Sequence, residues 1–160
     1  MSKAIVGIDN GPTGSIGIIG PDGVIFESVP TKESLHYGKA GTKSKRLDRA
    51  AFKDLMFMHV PPGTMVFVER PFTGQFVKAA ISAARFYEAM IICLEDMNMG
   101  YQTVDSKEWQ KPVLGEVKGS AALKKASKLR GIEMYPNFKA AITKHKDADG
   151  LLIAHHFFYT

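Results

Sequence analysis

Four carboxylates of this sequence stand where an apolar run ends or begins. Asp9 and Glu69 each follow directly on an apolar run, and Asp147 and Asp149 precede a third one. Burying an acid at the end of such a run is costly unless a cation compensates its charge. Acids that recur at these positions in a basic protein indicate a divalent metal and a polyanionic substrate.

Carboxylate oxygens are the ligands that hard cations such as Mg²⁺ prefer. Two divalent ions about 4 Å apart can clamp a phosphodiester, one activating water and the other stabilising the leaving oxygen. This chemistry requires the strand that carries Asp9 to lie in the middle of a sheet, next to the strand that ends at Glu69. The remaining acids must then face them from a helix.

Each acid also has a purely structural interpretation. Asp9 alone could start a turn, and Glu69 alone could pair with Arg70. Asp147 or Asp149 could cap the last helix. The recurrence of the acids in a basic chain favours the metal site.

The composition is that of one globular domain spanning residues 1–160. Of its 160 residues, 45% are hydrophobic and 23% charged, which excludes a disordered chain. The 21 Lys and Arg against 16 Asp and Glu give a formal charge of +5, so the surface attracts anions such as nucleic acid. The single cysteine, Cys93, excludes an intrachain disulfide and favours a reducing compartment. With no bilayer-spanning run and no room for a signal sequence before the first strand, a cytoplasmic protein is expected.

Hydrophobic patterning predicts the elements that must position the acids. Strand-like runs cover residues 4–9, 14–20, 23–29, 65–69 and 101–104. Helical spacing covers residues 47–59, 75–97, 119–130 and 147–158. The segment 30–46, rich in lysine and glycine, is expected to form a polar, mobile loop.

Short turns join the first three strands, so these strands are predicted to form an antiparallel meander. The strands that helices separate then add a parallel half. The predicted fold is α/β, with a mixed five-stranded sheet of three meander strands and two parallel strands, flanked by helices.

Three segments carry a resemblance to a known family. Residues 7–14 (GIDNGPTG) resemble the first-strand motif of RuvC-type Holliday junction resolvases, in which an acid precedes a glycine-containing turn. Residues 68–72 (VERPF) resemble the second motif, and residues 147–154 (DADGLLIA) resemble the last one, an acidic start to an apolar helix. Residues 104–111 look like a strand-then-Trp-Lys segment of phage and bacterial relatives. The resemblance covers essentially the whole chain.

The resemblance implies an RNase H-like fold, a homodimer, and nicking of four-way DNA junctions that depends on Mg²⁺. Mn²⁺ is expected to substitute, with two ions per site during catalysis. The resemblance also implies that Asp9, Glu69 and Asp149 are catalytic metal ligands. A compact chain of this kind is compatible with a phage or virus origin.

The fourth ligand is where this chain departs from the family. The family places an acid or a histidine three positions before the final acid, and here that position holds Lys146. Asp147 is selected as the fourth catalytic ligand, provided that it lies in a non-helical lead-in to the last helix. His145 and Lys146 are the alternatives, and Lys146 could contact the scissile phosphate instead.

Phe72 follows Glu69 closely and could belong to the core. Its neighbours Pro71 and Gly74 favour an exposed loop, and the resemblance matches it to an aromatic that stacks on an unpaired junction base. The residues predicted to contact DNA are Phe72, Lys43, Lys45, Arg46, Lys107, Lys111, Lys118 and Lys146. By resemblance, Lys107 and Lys118 are the strongest candidates among the lysines.

The helix predicted over 75–97 is apolar or small around much of its circumference. It could pack against the sheet on one side and a second copy of the chain on the other, or it could be buried within the monomer. Trp109 is expected to be a packing anchor. His155 could approach the acids, although a structural role is favoured.

Three other functions compete with junction resolution. The chain could be another RNase H-like nuclease that acts on branched DNA or RNA–DNA hybrids. Residues 9–14 also resemble the phosphate-binding hairpin of sugar-kinase and actin-like ATP-binding modules, but 160 residues are too few for two such domains. A catalytically silent DNA-binding relative remains open because of the imperfect fourth ligand.

Overall fold

A computed structural model describes residues 3–36, 38–72, 74 and 76–160. The strands are β1 (Ile5–Asp9), β2 (Ser15–Gly20), β3 (Gly23–Ser28), β4 (Thr31–Leu35), β5 (Lys43–Leu47), β6 (Met65–Glu69) and β7 (Tyr101–Val104). The helices are α1 (Arg49–His59), α2 (Val77–Asp96), α3 (Ser106–Leu114), α4 (Ser120–Met134), α5 (Lys139–His145) and α6 (Asp149–Tyr159).

The central sheet has five strands in the order β3-β2-β1-β6-β7. The meander β1-β2-β3 is antiparallel, while β6 runs parallel to β1 and β7 runs parallel to β6. The predicted mixed sheet is therefore confirmed, with β1 in its middle. In the parallel β1–β6 pair Ile8 lies opposite Val68, so Asp9 and Glu69, the next residues, lie side by side at the edge formed by the carboxyl ends of these strands.

The two faces of the sheet carry separate hydrophobic cores. Ile8 packs with residues of α1 and α2 on one face, whereas Ile5 and Phe67 pack with residues of α3, α5 and α6 on the other. Because side chains alternate along a strand, Asp9 shares the face of Ile5, and Glu69 shares the face of Phe67. Both acids therefore point to the side on which α6 lies.

Helix α6 crosses β1 and β2 with almost no space between the backbones. A Cβ atom at Gly7 would lie 2.3 Å from the backbone nitrogen of Ala154, and one at Gly17 would lie 2.3 Å from the Cα of Leu151. Only glycine permits this approach, because real Cβ atoms do not come so close to backbone atoms. The crossing brings Asp149, the first residue of α6, to the end of β1.

The predicted loop at residues 30–46 was wrong, because β4 and β5 form an antiparallel hairpin that is a separate two-stranded sheet. Sequence patterning failed because this hairpin lacks an alternating apolar face, and Lys32 pairs with Arg46 across it. Tyr37, which falls within this segment of the sequence, lies outside the described residues.

Helices α3 and α5 were also missed. A capping interaction begins α3, where the side chain of Glu108 accepts a hydrogen bond from the backbone N–H of Asp105 at 2.7 Å. The last helix begins at Asp149 rather than at residue 147. The predicted start of the long helix at Gln75 lies outside the described residues, and α2 begins at Val77.

Within the described ranges, no helix combines the length and apolar character needed to cross a bilayer. Met1 and Ser2, on which the expectation about a signal sequence depended, lie outside those ranges.

Substitution of Gly7 by alanine tests the close crossing of α6. We expect Gly7→Ala to lower the free energy of unfolding by about 1–3 kcal/mol or more, since overpacking forces backbone shifts. Urea denaturation measures the loss. Gly100→Ala is the matched control, because its Cβ would meet only the flexible end of Met65, at 3.5 Å, and its effect should stay within about 0.5 kcal/mol. Equal effects of the two substitutions would contradict the crossing.

Candidate active site

Three carboxylates meet at the edge of the sheet where β1 ends. Asp9, Asp147 and Asp149 each offer an oxygen atom within 4.8 Å of the other two. Asp9 is the last residue of β1, and Asp149 is the first residue of α6. Asp147 precedes the helix and is 2% exposed. Its non-helical position lets it join Asp149, whereas two residues this far apart within a helix point in different directions.

Glu69 lies beside this trio, at the end of the neighbouring strand β6. Among the described residues it is not part of the group within 4.8 Å, but the charges of Asp149 and Asp147 both act on it. The indole N–H of Trp109 donates a hydrogen bond to Glu69 Oε2 at 2.5 Å. Trp109 is completely buried, so it is the expected packing anchor and also holds Glu69 in place.

Two buried serines fix the start of α6. The hydroxyl of Ser127, from α4, donates a short hydrogen bond to Asp149 and accepts one from the backbone N–H of Ala148 at 3.0 Å. The hydroxyl of Ser15, from β2, accepts a hydrogen bond from the backbone N–H of Gly150 at 2.9 Å. Sequence reasoning missed both serines, since a lone serine carries no pattern that predicts burial beside an acid.

One lysine that the sequence analysis did not place among the site residues lies beside the acids. The Nζ atom of Lys124, on α4, lies 3.9 Å from Asp147 Oδ2. Its positive charge opposes the rise that burial and the other acids cause in the pKa values of Asp9 and Asp149. The signal available in the sequence was the lysine-rich character of the segment that forms α4.

The two alternatives for the fourth ligand lie outside the group of three carboxylates. His145 Nε2 is 3.5 Å from Asp147 Oδ1, and its Nδ1 shares a hydrogen bond with the hydroxyl of Ser28 at 2.9 Å. Lys146 adopts a left-handed backbone conformation with φ of 88° and is exposed at the end of α5. His155 shares a hydrogen bond with the hydroxyl of Tyr135 at 2.7 Å, which fits a structural role.

Burial and mutual repulsion raise the pKa values of Asp9, Glu69 and Asp149. The pKa of Asp9 lies well above its usual value, first because of burial and then because of Asp149, Glu69 and Asp147. Burial raises the pKa of Glu69 to about 7, although the Trp109 hydrogen bond opposes the shift. The pKa of Asp149 is raised to about 6 by burial and by Asp147, against the effects of the Ser127 hydrogen bond and Lys124.

These carboxylates fit a hard divalent cation. All the converging donors are oxygen atoms, as Mg²⁺ and Mn²⁺ require. Buried like charges destabilise one another unless a cation compensates them. The N-terminus of α6 adds only a partial positive charge to Asp147 and Asp149.

The residues predicted to contact DNA lie on several different elements. Phe72 is 87% exposed in the connection between β6 and α2, so it is not a core residue. Lys107, Lys118 and Lys146 are exposed. Two others form surface ion pairs, Lys43 with Glu33 at 3.2 Å and Lys111 with Glu116 at 2.7 Å. Lys45 and Arg46 line a cavity next to α2.

Helix α2 is not buried within the monomer over its whole length. Its second half buries Phe86, Met90 and Leu94 against the sheet. At its start, Phe76 is 78% exposed and Val77 is 71% exposed. The apolar residues in the second half of the helix therefore belong to the core, whereas those at its start are exposed to solvent.

Comparison with solved structures matches this architecture. The structure of T. thermophilus RuvC in complex with a Holliday junction substrate superposes with a TM-score of 0.61 at 16% identity, covering 98% of this chain and 94% of that chain. A Thermus thermophilus RuvC structure gives a TM-score of 0.52 at 17% identity with the same coverage, 98% and 94%. No family model and no curated protein matches the sequence. At these identities the likeness establishes an RNase H-like fold.

The raised pKa values predict how stability depends on pH without divalent ions. The unfolded carboxyls titrate near pH 4, whereas Asp149 and Glu69 titrate at about 6 and about 7 in the folded protein. The folded state binds more protons within this window, so these groups make the free energy of unfolding fall as the pH rises through it.

Asp9→Asn removes one of the repelling charges. In EDTA at neutral pH, urea denaturation should show this variant to be more stable than the wild type by about 1–2 kcal/mol. The difference should shrink near pH 4, where the acids are protonated. Asp54→Asn, on the exposed side of α1, is the control and should not change this pH dependence. A variant no more stable than the wild type at neutral pH would contradict the repulsion.

Proposed function

We propose that this chain is a metal-dependent, structure-selective DNA endonuclease that resolves four-way junctions by paired nicks. The meeting of Asp9, Asp147 and Asp149 at one sheet edge, with Glu69 beside them, is the observation that carries the proposal. An RNase H-like fold shared with a RuvC structure that holds a Holliday junction supports it. The formal charge of +5 suits a polyanionic substrate.

The four acids are the residues that would hold Mg²⁺, with Mn²⁺ as its substitute and two ions per site. Bound at such carboxylates, divalent ions activate water and stabilise the leaving oxygen of a phosphodiester. Trp109 and Ser127 orient Glu69 and Asp149 through their hydrogen bonds. Lys124, beside Asp147, offers a positive charge to a phosphate oxygen at this edge.

The surroundings of the acids support a junction as the substrate. Phe72 presents an exposed ring close in sequence to Glu69, where it can stack on an unpaired base. Lys107, Lys118 and Lys146, all exposed, are assigned to phosphates of the duplex arms.

Paired nicks call for two active sites. A homodimer with two-fold symmetry would face two symmetric strands of a junction. The exposed apolar start of α2, at Phe76 and Val77, supports this arrangement because an unpartnered apolar surface favours association. The protein is proposed to act as a single domain inside the cell.

Asp9→Asn should abolish cleavage and leave junction binding intact, because it removes a charged oxygen ligand without reducing the basic surface. We expect a loss of cleavage rate on the order of 10³-fold or more, as for a residue needed in the chemical step. Gel assays with labelled four-way junctions in Mg²⁺, Mn²⁺ or EDTA measure cleavage, and fluorescence anisotropy measures binding. Asp22→Asn, at an exposed turn, is the matched control.

Cleavage retained by Asp9→Asn, or cleavage in EDTA, would overturn the metal-dependent mechanism. Linear duplex and an RNA–DNA hybrid serve as substrates in the same assay. A preference for the hybrid over the junction would identify another RNase H-like nuclease instead.

Phe72→Ala should weaken junction binding by about tenfold or more, the equivalent of one lost base stack. A fluorescent base analogue at the junction centre reports the stacking directly, since its emission should change on binding to the wild type only. Phe57→Ala removes a ring of similar exposure, 68%, from α1 and should leave binding unchanged. Equal effects of the two substitutions would rule out a stacking role.

A further inference from the structure

A small basic cavity lies on the face of the sheet opposite the acids. It is bounded by β5, the start of α1 and the first half of α2, and its volume is about 100 Å³. Helices α1 and α2 pack on the side of Ile8, whereas Asp9 and Glu69 share the other face. The cavity is therefore separate from the candidate active site.

The charged residues that line this cavity, among those that the structure describes, are cations. Among the described residues that line it, none is Asp or Glu. The cations that line it come from three elements and are Lys45, Arg46, Arg49, Lys78 and Arg85. Arg49 shares Asp96 with Lys53, at 3.4 Å and 2.9 Å respectively, so the charge of Arg49 is partly offset.

Neutral hydrogen-bond donors lie between the cations. Ser44 and Ser82 are also among the residues that line the cavity. On α2, Ser82 stands between Lys78 and Arg85 along one stripe, because residues three or four positions apart are neighbours on a helix. Ser34, which pairs with Ser44 across the hairpin, has a buried hydroxyl without a hydrogen-bond partner among the described residues.

We propose that this cavity binds a phosphate group. The five cations are exposed, and cations gathered around one small cavity attract anions. Arginine binds phosphate oxygens through two parallel hydrogen bonds. The volume of about 100 Å³ is far below the roughly 300 Å³ at which pockets for whole small molecules begin. It suits one phosphate rather than a nucleotide.

The phosphate has two possible sources with the same chemistry, a backbone phosphodiester of DNA and a free phosphate ester. We favour the DNA backbone, a choice that rests on the proposed function. Lys78 stands in the first turn of α2, which follows the Phe72 connection from Glu69. A duplex arm that leaves the junction past Phe72 would reach this cavity, where a phosphate contact would fix the position of the arm.

Inorganic phosphate tests the cavity directly. With ionic strength held constant by chloride, phosphate at about tenfold above its Kd should raise the Tm of the full-length wild type by about 3–6 °C. Arg46→Gln/Lys78→Gln should lose this shift. Lys125→Gln/Lys139→Gln, which removes two exposed lysines of α4 and α5 outside the cavity, is the charge-matched control and should keep it.

A four-way junction tests the source of the phosphate. In an Asp9→Asn background, which separates binding from cleavage, anisotropy titrations over a range of salt concentrations compare the same two double variants. The cavity variant should bind more weakly, and its slope of log K against log salt should be shallower by about 1–2. The control should match the parent protein.

The two assays separate the possible outcomes. Loss of both the phosphate shift and junction affinity in the cavity variant supports a backbone phosphate. Loss of the shift alone supports the site with a free phosphate ester as its ligand. A wild type that phosphate does not stabilise overturns the inference. If none of the proteins binds the junction, but phosphate still raises the Tm of the wild type and not that of the cavity variant, the proposed function is refuted and the assignment of the cavity stands.

Discussion

The backbone of α6 lies directly against β1 at Gly7 and against β2 at Gly17, and the candidate site depends on this contact. Gly7 and Gly17 remove the Cβ atoms that would otherwise hold the helix away. The hydrogen bond from the backbone N–H of Gly150 to the Ser15 hydroxyl then ties the start of the helix to β2. With the helix start in that place, Asp149 reaches Asp9.

The convergence that this contact produces is unfavourable for the protein alone. Burial and repulsion raise the pKa values of Asp9, Glu69 and Asp149, which means that the folded state pays in stability for holding them ionised. Trp109 and Ser127 offset part of this effect with hydrogen bonds to the charged oxygens. Acids that are held close together despite their repulsion favour cation binding. A bound cation replaces the repulsion between the carboxylates with attraction to each of them.

The sheet also separates two electrostatic environments. Its α6 face gathers buried acids, and its α1–α2 face carries the basic cavity between β5 and α2. Along the sequence, Phe72 lies between Glu69, the last residue of β6, and Lys78, in the first turn of α2. Opposite charges on the two faces would let the proposed metal site and the proposed phosphate site coexist in one small domain without neutralising each other.

The sequence by itself determined the five strands of the central sheet, its antiparallel meander and its parallel half, whereas the position of β1 beside β6 was expected only because a metal site requires Asp9 and Glu69 to meet. Apolar runs and short turns decide strand pairing locally, and the alternation of side chains then settles which face each acid shares. The hairpin β4–β5 escaped prediction because its charged strands gain little from burial, so no hydrophobic pattern records them.

Only the tertiary structure decided how the site closes. Asp147 joins the other acids because the chain is non-helical before Asp149, and Ser127, Trp109 and Lys124 come into contact with the acids from other helices. The Trp109–Glu69 hydrogen bond joins residues 40 positions apart in the sequence, and the Ser127–Asp149 hydrogen bond joins residues 22 positions apart. Residue type and spacing report on local backbone geometry, whereas contacts between distant segments depend on how the helices pack on the sheet.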